Sequence, residues 1–307
     1  MNYIGFDTSN YTTSVAYFDG VSGLNCSKLL PVKQGELGLR QSDAVFAHIK
    51  GLPVLSGRLF SHISADSIRA VGVSTRPRAV DGSYMPCFMV GYTHAKMLAD
   101  ALHVPLFEFS HQQGHVAASL WSAGHLELMD EPHLAWHLSG GTTELLLVQP
   151  EGKNVVCTKI GGTTDISAGQ LSDRTGQLLQ LPFPSGKHLD ALSKEAVLKE
   201  VFPVKCSNME FSLSGVQNKV QQFHAQHENN AETAAYALRC VAKAVYLATE
   251  QALKAYPGLR VVFSGGVASN SMLREVIAPL NPIFSQPQFS TDNAMGVAVL
   301  AHRITEA

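Results

Sequence analysis

Two histidines four residues apart, His111 and His115, are the residues whose spacing most directly suggests chemistry. The stretch from 111 to 120 reads as a helix opened by Ser110, so both imidazoles should face the same way and could share a metal ion. With 13 histidines in the chain, chance alone gives roughly half of one such pair, so this spacing is a weak signal by itself. A metal site needs a third ligand, and Asp292, just before the last predicted helix, is the candidate.

The residue directly after the first of these histidines argues against the chemistry of zinc peptidases. Zinc peptidases with this spacing place a glutamate directly after the first histidine as general base, whereas this chain has Gln112. A carboxamide cannot accept the proton, so peptidase activity is disfavoured. A second pair with the same spacing, His133 and His137, lies on a predicted strand.

Two glycine pairs follow predicted strands, and both suit contact with phosphate. Gly140-Gly141 joins two strands, and Gly265-Gly266 joins a strand to a helix. Glycine leaves backbone amides bare and lets a phosphate come close, although a plain tight turn explains either pair alone. Neither the Rossmann glycine pattern nor a Walker lysine follows a strand, which excludes those classes. The residues predicted to face a nucleotide at these turns are Ser139, Gly140, Gly141, Thr142, Gly265 and Gly266.

Three carboxylates near small-residue turns form a further candidate group: Asp165, Asp173 and, after Gly186, Asp190. Such acids can bind ribose hydroxyls, and the alternative for Asp165 is that it caps a helix. Arg76-Pro77-Arg78 ends a predicted strand and could hold phosphates, with a surface salt bridge as the simpler explanation.

The composition limits the classes of protein to consider. The chain has 307 residues, 45% of them apolar and 16% charged, which excludes disorder and suits two subdomains or one large α/β domain. Its 23 basic and 25 acidic residues give a net charge of −2, so any nucleic-acid role needs a local patch or a partner. The five scattered cysteines indicate a reducing cytosol, and no secretory or membrane-spanning segment is evident, which favours a cytoplasmic protein.

Strands and helices alternate along the chain, as in an α/β protein. Strands are predicted around 3–6, 14–18, 68–74, 104–107, 134–138, 144–148 and 259–263, and helices around 40–60, 90–102, 111–120, most of 165–256 and from about 293.

Seven motifs, in this order, resemble those of the TsaD-type tRNA N(6)-threonylcarbamoyladenosine transferases, and the resemblance covers nearly the whole chain. The motifs are Ile4-Gly5-Phe6-Asp7-Thr8-Ser9, Ser110-His111-Gln112-Gln113-Gly114-His115, Leu138-Ser139-Gly140-Gly141-Thr142-Thr143-Glu144-Leu145, Asp165 to Asp173 with Leu181-Pro182-Phe183-Pro184-Ser185-Gly186, Phe211-Ser212-Leu213-Ser214-Gly215, Ser264-Gly265-Gly266-Val267-Ala268-Ser269-Asn270 and Ser290-Thr291-Asp292-Asn293-Ala294.

The resemblance implies an α/β fold of the actin-like, sugar-kinase and Hsp70 (ASKHA) type, with two related subdomains and a nucleotide cleft between them. We place the first in residues 1–110 plus 290–307 and the second in 111–289. The implied cofactor is one divalent metal ion, iron or zinc, and the implied ligand is threonylcarbamoyl-AMP or another adenine nucleotide. The implied partners are tRNA and accessory proteins of the threonylcarbamoyl system.

The resemblance also implies roles for particular residues. The metal ligands would be His111, His115, His137 and Asp292, with His137 replacing a tyrosine found in part of the family. The adenosine would lie near Asp165, Gly186, Asp190 and Asn270, in a nucleotide segment that includes Asp173. The catalytic residues would be Asp7, Thr8 and Ser9 of the opening turn.

This chain departs from the family pattern at three places. Tyr11-Thr12 replaces an acidic pair, Arg76-Pro77-Arg78 replaces Gly-Pro-Gly, and Pro184-Ser185-Gly186-Lys187 replaces Pro-Gly-Gly-Pro. These changes leave open a diverged paralogue that binds metal and adenine nucleotide as a scaffold, or that uses another acceptor. A small-molecule kinase of the same superfamily is the third and least favoured alternative.

Overall fold

A computed structural model describes residues 1–9, 11–31, 39–197 and 201–307. The chain divides into two compact units. The first contains Met1–Glu131, Gln149–Cys157 and Asp292–Ala307, and the second contains Pro132–Val148 and Thr158–Thr291. Residues 198–200, inside the long region predicted to be mostly helical, lie outside the described part.

Twelve strands and nine α-helices make up the described chain. The strands are β1 (Asn2–Asp7), β2 (Thr12–Phe18), β3 (Gly23–Leu29), β4 (Ile68–Arg76), β5 (Leu106–Ser110), β6 (His133–Leu138), β7 (Thr143–Glu151), β8 (Asn154–Thr163), β9 (Cys206–Ser207), β10 (Glu210–Phe211), β11 (Val261–Ser264) and β12 (Ile283–Phe284). The helices are α1 (Gln41–Phe60), α2 (Phe88–Leu102), α3 (His111–Ala123), α4 (Ala168–Leu178), α5 (Gly186–Ser193), α6 (Ser214–His227), α7 (Asn230–Ala255), α8 (Ser271–Ile277) and α9 (Met295–Thr305).

The first unit is built on a five-stranded sheet in the order β3-β2-β1-β4-β5. Strands β1, β4 and β5 run parallel, and β2 and β3 are antiparallel additions beside β1. Apolar side chains such as Ile4, Val71 and Val73 are fully buried against helices of this unit, because a parallel strand covered on both faces needs a nearly continuous apolar sequence.

Helix α9 packs directly on the backbone of this sheet. A side-chain carbon at Gly5 would overlap the carbonyl oxygen of Ala294, and one at Gly72 would overlap that of Val297. The absence of side chains at these two glycines lets the C-terminal helix lie closer than side chains would permit. The end of the chain is therefore part of the unit in which the chain begins.

The second unit is built on a seven-stranded sheet in the order β12-β11-β6-β7-β8-β10-β9. Strands β6, β11 and β12 are parallel neighbours. Half of the residues that the long helix α7 buries are alanines, which allows close packing. The indole Nε1 of Trp136 on β6 donates to Thr249 Oγ1 on α7 at 2.9 Å, so the polar atom of a fully buried side chain is satisfied.

The compact units divide the chain at other residues than the predicted boundaries. The prediction placed residues 111–289 in the second subdomain, whereas α3 belongs to the first unit. The physical reason is the contact between α3 and α9, where a side-chain carbon at Gly296 would overlap the carbonyl oxygen of Gly114. Two helices in backbone contact belong to one core. In the described part of the chain, no helix is both long enough and apolar enough to cross a membrane.

Candidate functional site

Three polar side chains meet at one edge of the first sheet because of its parallel strands. Asp7 ends β1, Ser74 lies near the end of β4, and His111 follows β5 directly. Neighbouring parallel strands present their carboxyl ends at the same edge, which is where ligands bind in open α/β sheets. This topology assembles residues that are far apart in the sequence.

Asp292, in the segment before α9, completes a group that could hold a metal ion. One ligand atom each from His111, His115 and Asp292 lie within 4.8 Å of one another. Oδ1 of Asp292 is 3.2 Å from Nε2 of His115 and 3.5 Å from Nε2 of His111. Donors about 2.1 Å from a single ion stand roughly 3.0–3.5 Å apart. Two imidazoles and a carboxylate therefore fit a divalent transition metal in both spacing and chemistry.

Local features of α3 explain how its two histidines are held. Ser110 and Gln113 form a capping box: Ser110 Oγ accepts from the Gln113 amide at 3.2 Å, and Gln113 Oε1 accepts from the Ser110 amide at 2.9 Å. This confirms the predicted helix start at Ser110. The histidine rings meet edge to face, 4.3 Å apart.

Sequence reasoning missed the glycine contact that brings Asp292 to this helix. Gly114 lies between the two histidines, and Gly296 lies one turn after Asp292. Because a side chain at Gly296 would overlap Gly114, this pair sets the distance between α3 and α9. The available signal was a glycine inside each predicted helix, which is costly unless packing requires it.

The predicted catalytic residue Asp7 is buried and fully engaged by the protein. Its Oδ2 accepts from Nδ1 of His111 at 2.7 Å and from Ser74 Oγ at 2.6 Å. Its Oδ1 accepts from the amide of Ser9 at 2.9 Å. With 1% of its surface exposed, Asp7 contacts Nδ1 of His111 and does not face solvent.

The other two predicted catalytic residues are also buried. Thr8 Oγ1 donates to the carbonyl of Cys87 at 2.9 Å and accepts from the amide of Gly91 at 3.0 Å. Ser9 is buried beside them. A direct catalytic role for this turn stays a prediction.

The electrostatics of the first site favour a cation. Burial alone would lower the pKa of His111, but the nearby carboxylates of Asp7 and Asp292 outweigh it and raise that pKa to about 10. Burial opposes ionisation of Asp292, yet its two histidine partners hold its pKa well below the usual range. The pKa of His115 is lowered by burial and by the neighbouring imidazole. Two carboxylates surrounding one imidazolium leave a net negative charge.

The proposed fourth ligand, His137, lies on β6 in the second unit, and its side chain is half-buried. It is not a member of the three-residue group, so its part in binding metal stays a prediction.

Both glycine turns of the second unit follow neighbouring parallel strands, since Ser264 at the end of β11 pairs with His137 of β6. Gly265 has a φ of +91°, and a side-chain carbon there would overlap the carbonyl of Leu138. Only glycine meets both conditions. The turns after β6 and β11 consequently stand at one edge of the sheet.

The turn at Gly140-Gly141 is held by hydrogen bonds between its two ends, and its glycines have open space beside them. The Ser139 amide donates to the carbonyl of Thr142 at 2.8 Å, and the Thr142 amide donates to Ser139 Oγ at 3.1 Å. A side-chain carbon at either glycine would meet no atom within 4 Å. Within the described residues, the amides of Gly140 and Gly141 donate to no protein acceptor. They can therefore bind an anion.

The same turn is attached to the start of α4. Ser167, the N-cap of that helix, donates its hydroxyl to the carbonyl of Gly140 at 2.6 Å. The Ala168 amide donates to Thr143 Oγ1 at 2.8 Å. Side-chain bonds thus fix the turn while its glycine amides stay available.

Asp165 is occupied as a structural anchor. Its Oδ2 accepts from the hydroxyls of Ser212 and Ser214 at 2.5 Å each, and its Oδ1 accepts from the amide of Leu213 at 2.8 Å. Desolvation would raise its pKa, but these donors hold it below the usual range. The alternative prediction was that Asp165 caps a helix. Asp165 does bind the start of a helix, but that helix is α6, and the N-cap of α4 is Ser167.

The remaining predicted nucleotide residues also make cap bonds. Asp190 Oδ1 accepts from the amide and the hydroxyl of Ser271, each at 2.8 Å. Asn270 is the N-cap of α8 and accepts from the Leu273 amide at 3.0 Å. Asp173 accepts from the Ser185 amide at 2.9 Å. Their contact with a nucleotide stays a prediction.

Gly186 begins α5, and a side-chain carbon there would meet no atom within 4 Å.

The positions where the resemblance expects an acidic pair, Tyr11 and Thr12, lead into β2, where Thr12 pairs with Leu29.

A sequence profile described as "TsaD: tRNA N6-adenosine threonylcarbamoyltransferase" matches residues 38–299. The chain belongs to the tRNA N6-adenosine threonylcarbamoyltransferase family. A relative of that name from Carboxydothermus hydrogenoformans is 31% identical over 83% of this chain and 77% of its own. Another from Lactococcus lactis subsp. cremoris is 32% identical over 89% of this chain and 82% of its own. The matched profile region begins after β1, so Asp7 lies outside it.

Solved structures of ASKHA proteins share the fold of this threonylcarbamoyltransferase family member. Nucleotide-bound HypF has a TM-score of 0.63 at 14% identity over 98% of this chain and 46% of its own. The ROK hexokinase of Thermus thermophilus has a TM-score of 0.55 at 15% identity, over 100% of this chain and 99% of its own. Identities this low establish the fold alone. The expected ASKHA fold class is confirmed.

Proposed function

We propose that this chain transfers the threonylcarbamoyl group from threonylcarbamoyl-AMP to N6 of a tRNA adenosine next to the anticodon, in a metal-dependent reaction. The observation that carries the proposal is the convergence of His111, His115 and Asp292 within 4.8 Å, in a member of a family named for this reaction. The metal is one divalent ion, with iron and zinc equally suited to the donors.

The two imidazoles and Asp292 would hold the metal, which when bound supplies Lewis acidity toward the acyl group. His111 is already oriented by Asp7 at 2.7 Å, so one of its nitrogens is committed to the protein and the other to the site. The ligands need little rearrangement before they act.

The glycine turns would bind the phosphate of the adenylate. The amides of Gly140 and Gly141 donate to the phosphoryl oxygens and stabilise the charge that grows on the departing phosphate. Gly266 and Gly186 offer further backbone surface without a side chain. The carboxylates Asp165, Asp173 and Asp190, with Asn270, shape the nucleotide segment by fixing helix starts.

Because the chain carries a net charge of −2, it binds tRNA with accessory proteins of the threonylcarbamoyl system and only weakly alone. It works in the cytoplasm, where tRNA is modified.

The decisive experiment incubates the purified full chain with tRNA, threonylcarbamoyl-AMP and the accessory proteins, and detects modified adenosine by mass spectrometry of digested tRNA. The expected result is product with the native chain and loss of product with Asp292→Ala. Asp19→Ala is the matched control, because that carboxylate only closes a surface turn with Val21 and Ser22. Absence of product under every combination of partners would refute the transferase.

A second candidate is a scaffold that binds metal and adenine nucleotide without transfer. The replacement of an acidic pair by Tyr11-Thr12 favours it. The transfer assay separates the two candidates, since both bind Zn²⁺ and AMP in equilibrium measurements but the scaffold forms no product.

A further inference from the structure

Buried hydrogen bonds connect His111, one of the proposed metal ligands, to residues at the edge of the first sheet. Nδ1 of His111 lies 2.7 Å from Oδ2 of Asp7, the same oxygen that accepts from Ser74 at 2.6 Å. The other Asp7 oxygen accepts from the Ser9 amide at 2.9 Å. The carboxylate is 1% exposed, so it cannot act by touching a substrate.

We propose that Asp7 is a positioning residue for the metal centre. Its carboxylate keeps the proton on Nδ1 of His111 and thereby presents Nε2 to the site shared with His115 and Asp292. The inference rests on the metal-binding part of the proposed function and changes the expected role of Asp7 from catalysis to support.

The chemistry follows from what each atom can do. An ionised carboxylate only accepts hydrogen bonds, so the nitrogen that faces it carries the proton. A metal binds the imidazole nitrogen without a proton, and Nε2 of His111 is the one that points at Asp292, 3.5 Å from Oδ1. Carboxylates placed behind a ligating histidine typically change metal affinity about 10- to 100-fold.

The surroundings of Asp7 keep it in place for this role. Ser74 belongs to β4, the parallel neighbour of β1, so adjacent strands hold the carboxylate from two sides. Ser74 donates to Asp7 and, within the described residues, makes no hydrogen bond to the histidine. Its removal should therefore weaken the arrangement less than loss of the carboxylate.

The test is titration of the metal-free, full-length chain with Zn²⁺ in a calorimeter. We expect Asp7→Asn to weaken Zn²⁺ binding about 10- to 100-fold. Its amide group would donate toward Nδ1 and favour the tautomer with the proton on Nε2. Ser74→Ala should weaken binding by about threefold or less. Asp19→Asn makes the same substitution in the same unit, where the carboxylate accepts from Val21 and Ser22, and it should bind like the native chain.

Native-like Zn²⁺ affinity in a folded Asp7→Asn variant overturns the proposal, and so does a native chain that binds no Zn²⁺. A second measurement needs no substitution: NMR of the native chain, loaded with the spin-active isotope of cadmium and carrying isotope-labelled histidine nitrogens. Cadmium coupling to Nε2 of His111, with a proton on Nδ1, supports the proposal, whereas coupling to Nδ1 overturns it. Neither experiment contains tRNA, so a negative transfer assay refutes the proposed function without affecting this inference.

Discussion

The carboxylate beside the histidine pair of the first unit and the carboxylates near the glycine turns of the second unit have opposite uses. In the first unit, Asp292 joins two histidines in a group open to a cation. In the second unit, Asp165 and Asp190 are engaged by donors at helix starts, and the groups left available are the backbone amides of a glycine turn. The proposed cation site is thus made of side chains, and the proposed anion site is made of main chain. The number of carboxylates in a sequence motif does not show whether the motif forms a cation site or an anion site.

The largest expected effect is a loss of stability when a side chain is introduced where α3 and α9 are in contact. Gly296→Ala puts a carbon atom onto the Gly114 carbonyl, and we expect a loss of unfolding free energy on the order of 3 kcal/mol together with loss of Zn²⁺ binding. The matched control is Gly57→Ala in α1, where a side-chain carbon meets nothing within 4 Å and helix propensity improves. Urea unfolding measures both. Equal stability of the two variants would contradict the proposed packing role of Gly296.

The next largest effect tests the side-chain site alone. His115→Ala removes one of three donors, so Zn²⁺ affinity should fall by at least about 100-fold. Binding of an adenine nucleotide to the second unit should stay within about twofold. Calorimetry with each ligand separately checks both, using His125→Ala, a half-buried histidine paired with Glu127, as control. Unchanged Zn²⁺ affinity would remove His115 from the metal centre.

A smaller effect tests the main-chain site. Gly140→Ala and Gly141→Ala have open space for the new carbon, so stability should hold while the methyl group obstructs the phosphate. We expect AMP affinity to fall about tenfold, the equivalent of one lost hydrogen bond to a charged group. Zn²⁺ binding should not change. If AMP bound normally to both variants, the turn would not be a phosphate site.

The smallest effect concerns acid stability. Donors lower the pKa of Asp165, so its stabilising effect is complete above the ordinary value of 3.8 and is lost as pH falls below that value. Asp165→Asn should therefore flatten the dependence of the unfolding midpoint on pH below about pH 4.

Asp173→Asn provides a control of opposite sign. Burial raises the pKa of Asp173, so this group favours the folded state in acid and loses that contribution as pH rises through the folded pKa. The two variants should shift the acid limb of the stability curve in opposite directions. Parallel shifts would mean that the hydrogen bonds of Asp165 do not set its ionisation.

The sequence by itself determined most of the elements and the residue types at the site. Apolar runs predicted seven of the twelve described strands. Ser110 predicted the start of α3, and the spacing of His111 and His115 placed both imidazoles on one side of it. These features follow from bonds and contacts within a few residues of each other. The ordered motifs, taken as a resemblance, supplied the fold class and family.

Only the tertiary structure decided which groups are engaged and which are free. The partners of Asp7 and Asp165 lie as far as 104 and 49 residues away, and no local pattern encodes them. The same holds for Gly296 against Gly114, where the approach of two helices fixes where Asp292 stands. A side chain's chemical type is local, but its hydrogen-bond partners and its burial are properties of the folded chain.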